Sequence, residues 1–205
     1  MPKKINNVFN NNLTFEKILA AHNRAKIGKV YKPEVILFEM NLENNIINLL
    51  NQLKNNQYNI GDYRSFKVYE PKERIIMALP YIDRIVHQWY VEEFIKPYIV
   101  PRFIDTSFAC ITNKGTHKAV EKVQSYLQKY EKSTNNFWIL KCDIRKFFYN
   151  INPHILYSIL CKYIKDKKLL NLTKLLIFEK REALGNARHT YWQLYFSIFC
   201  KYLSK

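Results

Sequence analysis

The stretch that decides the fold is 137–151, FWILKCDIRKFFYNI. Its first half is a short apolar run that reaches a carboxylate at Asp143, so the pattern predicts a β-strand over 137–143 with Asp143 at its exit. A carboxylate leaving a buried strand is expensive to desolvate unless a cation or metal meets it. The alternative is a helix N-cap, because Asp143 directly precedes IRKFF and its side-chain oxygen could take free backbone N–H groups there. Spacing alone favours the cap.

Working outward, the chain reads as helices, a hairpin, two helices, a strand and a helix. Residues 14–27 form a helix that Thr14 caps and Gly28 ends. Pro33 opens a second helix, whose apolar face is Val35, Leu42, Ile46, Leu49, Leu50 and Leu53. Over 63–79 the period changes. Phe66 and Val68, then Ile75, Ile76, Met77 and Leu79, give two strands joined by a turn at Glu70-Pro71-Lys72-Glu73. Pro80 begins a helix with Ile82, Ile85, Val86, Trp89, Tyr90 and Phe94 on its buried face, and Pro97 stops it. Residues 98–115 read as loop. Thr116 caps a helix carrying Val120, Val123, Leu127 and Tyr130 as its apolar face. Asn152 and Pro153 open another, through Ile155, Leu156, Ile159, Leu160, Tyr163 and Ile164. The order is α+β and not a βαβ alternation.

Composition bounds the function. The 205 residues carry 33 Lys and Arg against 17 Asp and Glu, a formal charge of +16, with a sequence pI near 9.6. That is the electrostatic footprint of a nucleic-acid binder. Part of the charge has a second source: 25 Lys against 8 Arg, with many Asn, Ile, Tyr and Phe, is what AT-rich codons favour. No apolar run reaches membrane-spanning length and the N-terminus has no signal-peptide core, which predicts a cytoplasmic protein without a membrane partner. Cys110, Cys142, Cys161 and Cys200 show no CxxC pairing and read as reduced thiols.

With Phe148 five residues beyond Asp143, the segment resembles the first catalytic motif of reverse transcriptases, strand–Asp–x4–aromatic. Three further segments match in family order. Residues 66–79, with YEPKERIIMALP, resemble the fingers hairpin. YIDRIVHQ at 81–88 resembles the Pro-x-x-x-Asp-Arg-hydrophobic-hydrophobic-His/Gln signature. FIDTSFACITNKGTHKAV at 103–120 resembles the Ser-x-Ala-x…Gly-Thr-His-x-Ala segment of bacterial enzymes of the diversity-generating retroelement, group II intron or retron type. These four segments cover about half the chain.

The resemblance implies a right-hand polymerase: a helical N-terminal extension over 1–60, fingers over 61–136 and the start of a palm over 137–182. It implies RNA-templated transfer of deoxynucleotides to a primer 3′-OH, on a DNA or RNA primer, from deoxynucleoside triphosphates with Mg²⁺. Asp143 would be the catalytic metal ligand and Phe148 the gate against a ribose 2′-OH. Arg74 and Lys67 would contact the triphosphate, and Arg84, Lys114, Gly115 and Thr116 the nucleic acid. Each has a plainer reading: a solvated hairpin tip for Lys67 and Arg74, a local ion pair for Asp83 and Arg84, a surface helix residue for His117.

The pattern breaks after 157. The chain has five aspartates, at 62, 83, 105, 143 and 166, and no adjacent pair of them. The Tyr-x-Asp-Asp motif and the thumb are therefore missing, and one carboxylate cannot hold two Mg²⁺ ions. Asp166, in KYIKDKK, reads as a solvated ion-pair residue. Residues 183–205 are atypical, with Tyr191, Trp192, Tyr195, Phe196, Phe199 and Tyr202 on no clean face. With AT-rich codons, 188–205 read one base later resembles the family's Pro-x-Gly-Asn-x-Thr-Ser-Gln-x-x-Ala-Asn segment. The expectation is a frameshifted front part of such an enzyme, inactive alone. The alternatives are a non-catalytic RNA-binding protein that keeps the fingers surface, and a helical structural protein whose motifs are coincidental.

Overall fold

The computed structural model describes residues 4–69, 73–109, 111–133, 136–143, 145 and 151–178, with the side chains of Arg74 and Ile75 left out. It is mixed helix and sheet, mostly helical, and its one described sheet is a two-stranded antiparallel ribbon. The 183–205 tail, Phe148, Cys110 and Cys200 lie outside the described residues.

Four helices come first: α1 (Phe9–Asn12), α2 (Phe15–Ala25), α3 (Pro33–Met40) and α4 (Leu42–Lys54). Thr14 caps α2 as expected, its extended backbone letting the hydroxyl accept from Lys17 N at 3.4 Å. The buried positions Ile18, Ala21, His22 and Ala25 form one helical stripe. Gly28 follows with φ +69°, a left-handed turn open to glycine.

The single helix expected from Pro33 to Leu53 is two. It breaks at Asn41, whose φ of −135° and ψ of 46° are not helical. Side chains make the break favourable. The Asn41 Oδ1 accepts from Asn44 Nδ2 at 2.8 Å, and Asn45 Nδ2 donates to the carbonyl of Phe38 at 3.0 Å, one of the acceptors the ending helix exposes. Periodicity missed this because the apolar rows of α3 and α4 still face one core.

The ribbon follows: β1 (Arg64–Tyr69) pairs with β2 (Glu73–Ala78), in a register running from Arg64 opposite Ala78 to Tyr69 opposite Glu73. β1 is almost entirely exposed, so the ribbon stands away from the core. The expected turn at 70–73 falls mostly outside the described residues.

Next comes α5 (Tyr81–Tyr90), with Tyr81, Ile85, Val86, Trp89 and Tyr90 buried. Ile82, expected on that face, is 43% exposed. Asp83, Arg84 and His87 are buried as well, so α5 is covered nearly all round, as the central helix of a bundle must be. Pro97 does not end it. The helix widens into a π-turn over Val91–Ile95, where Lys96 N–H reaches back to Val91 O, and continues as the single turn α6 (Lys96–Tyr98). The wide turn resets the ladder and puts Pro97 in a first turn, where no N–H is needed.

The aromatic side chains lock α1 to α5. Phe9 meets the ring of Trp89 edge-on at 5.6 Å and stacks with Phe94 at 6.3 Å, while Trp89 Nε1 donates to Asn12 O at 2.8 Å.

α8 (Pro153–Tyr163) is capped by Asn152, whose side chain accepts from His154 N and Ile155 N. α9 (Lys167–Phe178) packs back on it. Here the chain's start returns. Ile5 N donates to Tyr163 O at 2.8 Å and Lys165 N to Ile5 O at 2.7 Å, a parallel bridge between Ile5 and Ile164. Asp166, expected as a solvated ion-pair residue, is only 8% exposed. Its Oδ2 accepts from Val8 N and Phe9 N, and its Oδ1 from Lys168 N and Leu169 N, at 2.9 to 3.2 Å. One carboxylate thus serves the first turns of α1 and α9, and the surrounding lysines gave no sign of it.

One hydrophobic cluster joins Ile18 and Ile46 to Ile85 and Trp89, and on to Leu160 and Leu169. The core therefore runs across residue 60 and takes in helices from both ends of the described chain.

The strand expected over 137–143 is absent from the described residues. Residues 136–143 are irregular and exposed, Trp138 at 99% and Leu140 at 87%. An apolar strand needs a neighbouring strand to satisfy its backbone, and in the only described sheet β1 and β2 pair with each other alone.

Candidate nucleic-acid interface

The sequence-marked residues divide between the core and the surface. Asp83 and Arg84 belong to the core. The Asp83 Oδ1 accepts from Tyr58 OH at 2.6 Å and its Oδ2 from Gly61 N at 3.0 Å, which ties the loop after α4 to the start of α5. Gly61 suits that approach, since a Cβ there would lie 2.7 Å from Pro80 Cγ and 3.1 Å from Asp83 Oδ2. Arg84 is 6% exposed. Its Nε donates to Leu79 O at 2.9 Å, and its Nη2 lies 2.7 Å from Glu34 Oε1. This guanidinium holds the exit of β2 against α3, which makes it a positioning group rather than a nucleic-acid contact.

Lys67 and Arg74 lie on the ribbon. Lys67 is exposed and paired with Glu73 at 2.6 Å. The register puts Lys67 opposite Ile75 and Arg74 opposite Val68. Directly opposed residues share a face and successive residues alternate, so positions 67 and 74 fall on opposite faces of the ribbon. The two were expected to share one triphosphate; this register spreads them around the ribbon instead.

Lys114, Gly115 and Thr116 do come together, at the start of α7 (Thr116–Glu131). The cap is Gly115 and not Thr116, with φ 140° and ψ −170° and open space where a Cβ would be. Lys114 Nζ donates to the Asp105 carbonyl at 2.6 Å and to its carboxylate at 3.3 Å, and sits 5.5 Å from the centre of the Phe108 ring. The Asp105 carboxylate is exposed, so the ion-pair part of this contact adds little to stability. His117 is exposed on the helix surface.

α7 departs from expectation on its apolar side. Val120, Val123 and Tyr130 are 50% exposed or more, and no residue of the helix is buried. Lys118, Lys122, Ser125 and Lys129 recur at intervals of four, three and four, a single stripe along the helix. Beside it runs an open groove of about 450 Å³, lined in part by Phe108, Asn113, Lys114, Lys118 and Lys122. Asp105 and Glu121 also border it.

No metal centre accompanies these residues. Among the described residues no group of three or more His, Cys, Asp or Glu could hold an ion. Asp143 is exposed in an irregular segment, whereas Mg²⁺ requires rigidly placed oxygens in near-octahedral array. The described residues do not fit a catalytic Mg²⁺ ion. The exposed Cys142 and the half-buried Cys161 are free thiols.

No family model matches the chain, and no curated protein matches it either.

Proposed function

We propose that this chain is the front part of a reverse-transcriptase-like protein that binds RNA and does not polymerise DNA by itself. The observation that carries the reading is the ordered set of segments from 63 to 157, whose hairpin forms as an antiparallel ribbon feeding directly into the Asp83-Arg84 helix. The lack of a Tyr-x-Asp-Asp motif in these 205 residues supports the non-catalytic form of that reading. In a complete enzyme, Asp143 would supply one carboxylate and Phe148 the sugar gate. In this chain the basic surface is what remains to act, and its ligand is the RNA template or its primer.

The test is a pair of measurements on the 205-residue protein. RNA binding should weaken steeply as salt rises, because neutralised phosphates release counterions. Primer extension with Mg²⁺ and deoxynucleoside triphosphates should give no product. Salt-independent binding would refute the nucleic-acid reading, and robust extension would refute the non-catalytic one.

A further inference from the structure

The structure assigns the α7 stripe, Lys118, Lys122 and Lys129 with the groove at its head, as a track for single-stranded RNA. The inference rests on the proposed RNA-binding reading and names the surface and the form of the ligand. Three observations carry it.

First, charge is concentrated there. Between residues 111 and 133 stand five lysines against two glutamates. Lysines four apart on a helix are separated by about 6 Å of rise, which lets successive ammonium groups meet successive phosphates of one strand. Lys114 extends the row past the helix start, where Gly115 leaves the approach open.

Second, aromatic rings accompany the charges. Lys122 lies 5.2 Å from the centre of the Tyr126 ring, and Lys114 5.5 Å from that of Phe108. Tyr126, one turn after Lys122, is 43% exposed and flanks the stripe. Non-specific single-strand binders use this combination: cations follow the backbone and exposed rings take unstacked bases. A duplex hides its base faces, so the rings favour a single strand.

Third, α7 carries no core load. It buries no residue, so its surface residues are not needed to hold the described fold. The groove beside it is open, as a polymer ligand requires.

The experiment uses the full chain, a labelled single-stranded oligoribonucleotide and a duplex RNA of equal length, titrated across a salt series. Lys118→Ala with Lys122→Ala should weaken single-strand binding about tenfold or more and flatten the log–log salt slope by about 1.4, at about 0.7 per lost phosphate contact. Tyr126→Ala should weaken single-strand binding about tenfold and leave the salt slope and duplex binding unchanged. Circular dichroism should match wild type for all variants. If wild type binds RNA and the α7 variants bind equally well with the same slope, the track is refuted while the RNA-binding reading stands. If wild type binds no RNA, the reading falls and the track with it. Preference for duplex, or an effect of the lysine variants on phosphatidylserine vesicles but not on RNA, also refutes the track.

Discussion

The helical core and the parts that project from it use the same residue types to opposite ends. In the core, Arg84 and Asp166 are buried with fixed partners: Glu34 and the Leu79 carbonyl for one, four backbone N–H groups for the other. On the ribbon and at the head of α7, Lys67 and Lys114 pair with exposed carboxylates, and Lys118 on α7 faces solvent. A buried charge is committed to the fold, because removing its partner leaves a desolvated group. An exposed one is held by little and is available to a ligand. The comparison shows that a basic motif residue is not by itself a contact residue. Arg84 and Lys114 both sit in motif-bearing segments, yet Arg84 is buried in the core while Lys114 lies at the surface.

The sharpest way to break this division is at the core. Trp89→Ala removes a fully buried ring and its hydrogen bond to Asn12. It should destabilise by about 3–5 kcal/mol in urea unfolding; a loss under 1 kcal/mol would mean that the core is not built around this helix. Asp166→Ala should destabilise by about 2–4 kcal/mol, since two helix starts lose their acceptor. Asp166→Asn can satisfy only part of this set and should fall between the two. If Asp166→Ala is neutral, the sequence reading of a solvated residue is restored.

A smaller effect is expected from pH. His22 is fully buried, with Nδ1 2.9 Å from Tyr81 OH and Nε2 3.4 Å from Glu39. Burial lowers its pKa below the ordinary histidine value; nearby Lys26 adds to the lowering, and Glu39 opposes it. The unfolded chain therefore binds the proton more readily than the folded one. Stability from this group is fully present above about pH 6.5, falls as pH drops below that value, and levels off below the depressed folded pKa. Urea midpoints between pH 7.5 and pH 5 should show this decline in wild type, and His22→Gln should flatten it. An equal decline in His22→Gln would remove His22 as its source.

The smallest effect on stability is expected at α7. Lys118→Ala and Lys122→Ala should each shift unfolding by no more than about 0.5 kcal/mol. A larger loss would mean that α7 bears on the core after all.

Much of the helical core was legible in the sequence. Thr14 and Asn152 are caps because short polar side chains before apolar-periodic runs have few other uses, and both make the expected bonds. The ribbon was legible from its change of period. The strand expected over 137–143 is absent from the described residues, because an apolar run states a desire for burial without naming the partner that provides it. Asp166 was misread for a related reason: its partners Val8 and Phe9 lie more than 150 residues away in the chain. For the candidate site, Lys114 to Thr116 were found through the Gly-Thr opening. The stripe at Lys118, Lys122 and Lys129 was hidden by attention to the apolar row of the same helix. The opposed placement of Lys67 and Arg74 follows from a strand register that sequence alone left open.

The bridge from Ile5 to Ile164, with the Asp166 clasp beside it, also sets a timetable. Synthesis releases α1 first, yet its N–H acceptor arrives only after Asp166 has been made. Until then Phe9 can seek Trp89, but the start of its helix stays unsatisfied. Closing so long a loop is an entropic burden that local helices do not carry, and such contacts slow folding. The described core thus closes late and from both sides, while the ribbon and α7 leave it as two separate excursions, one on either side of the buried α5. Surface parts carried this way can be lengthened, shortened or exchanged with little consequence for the closure that supports them.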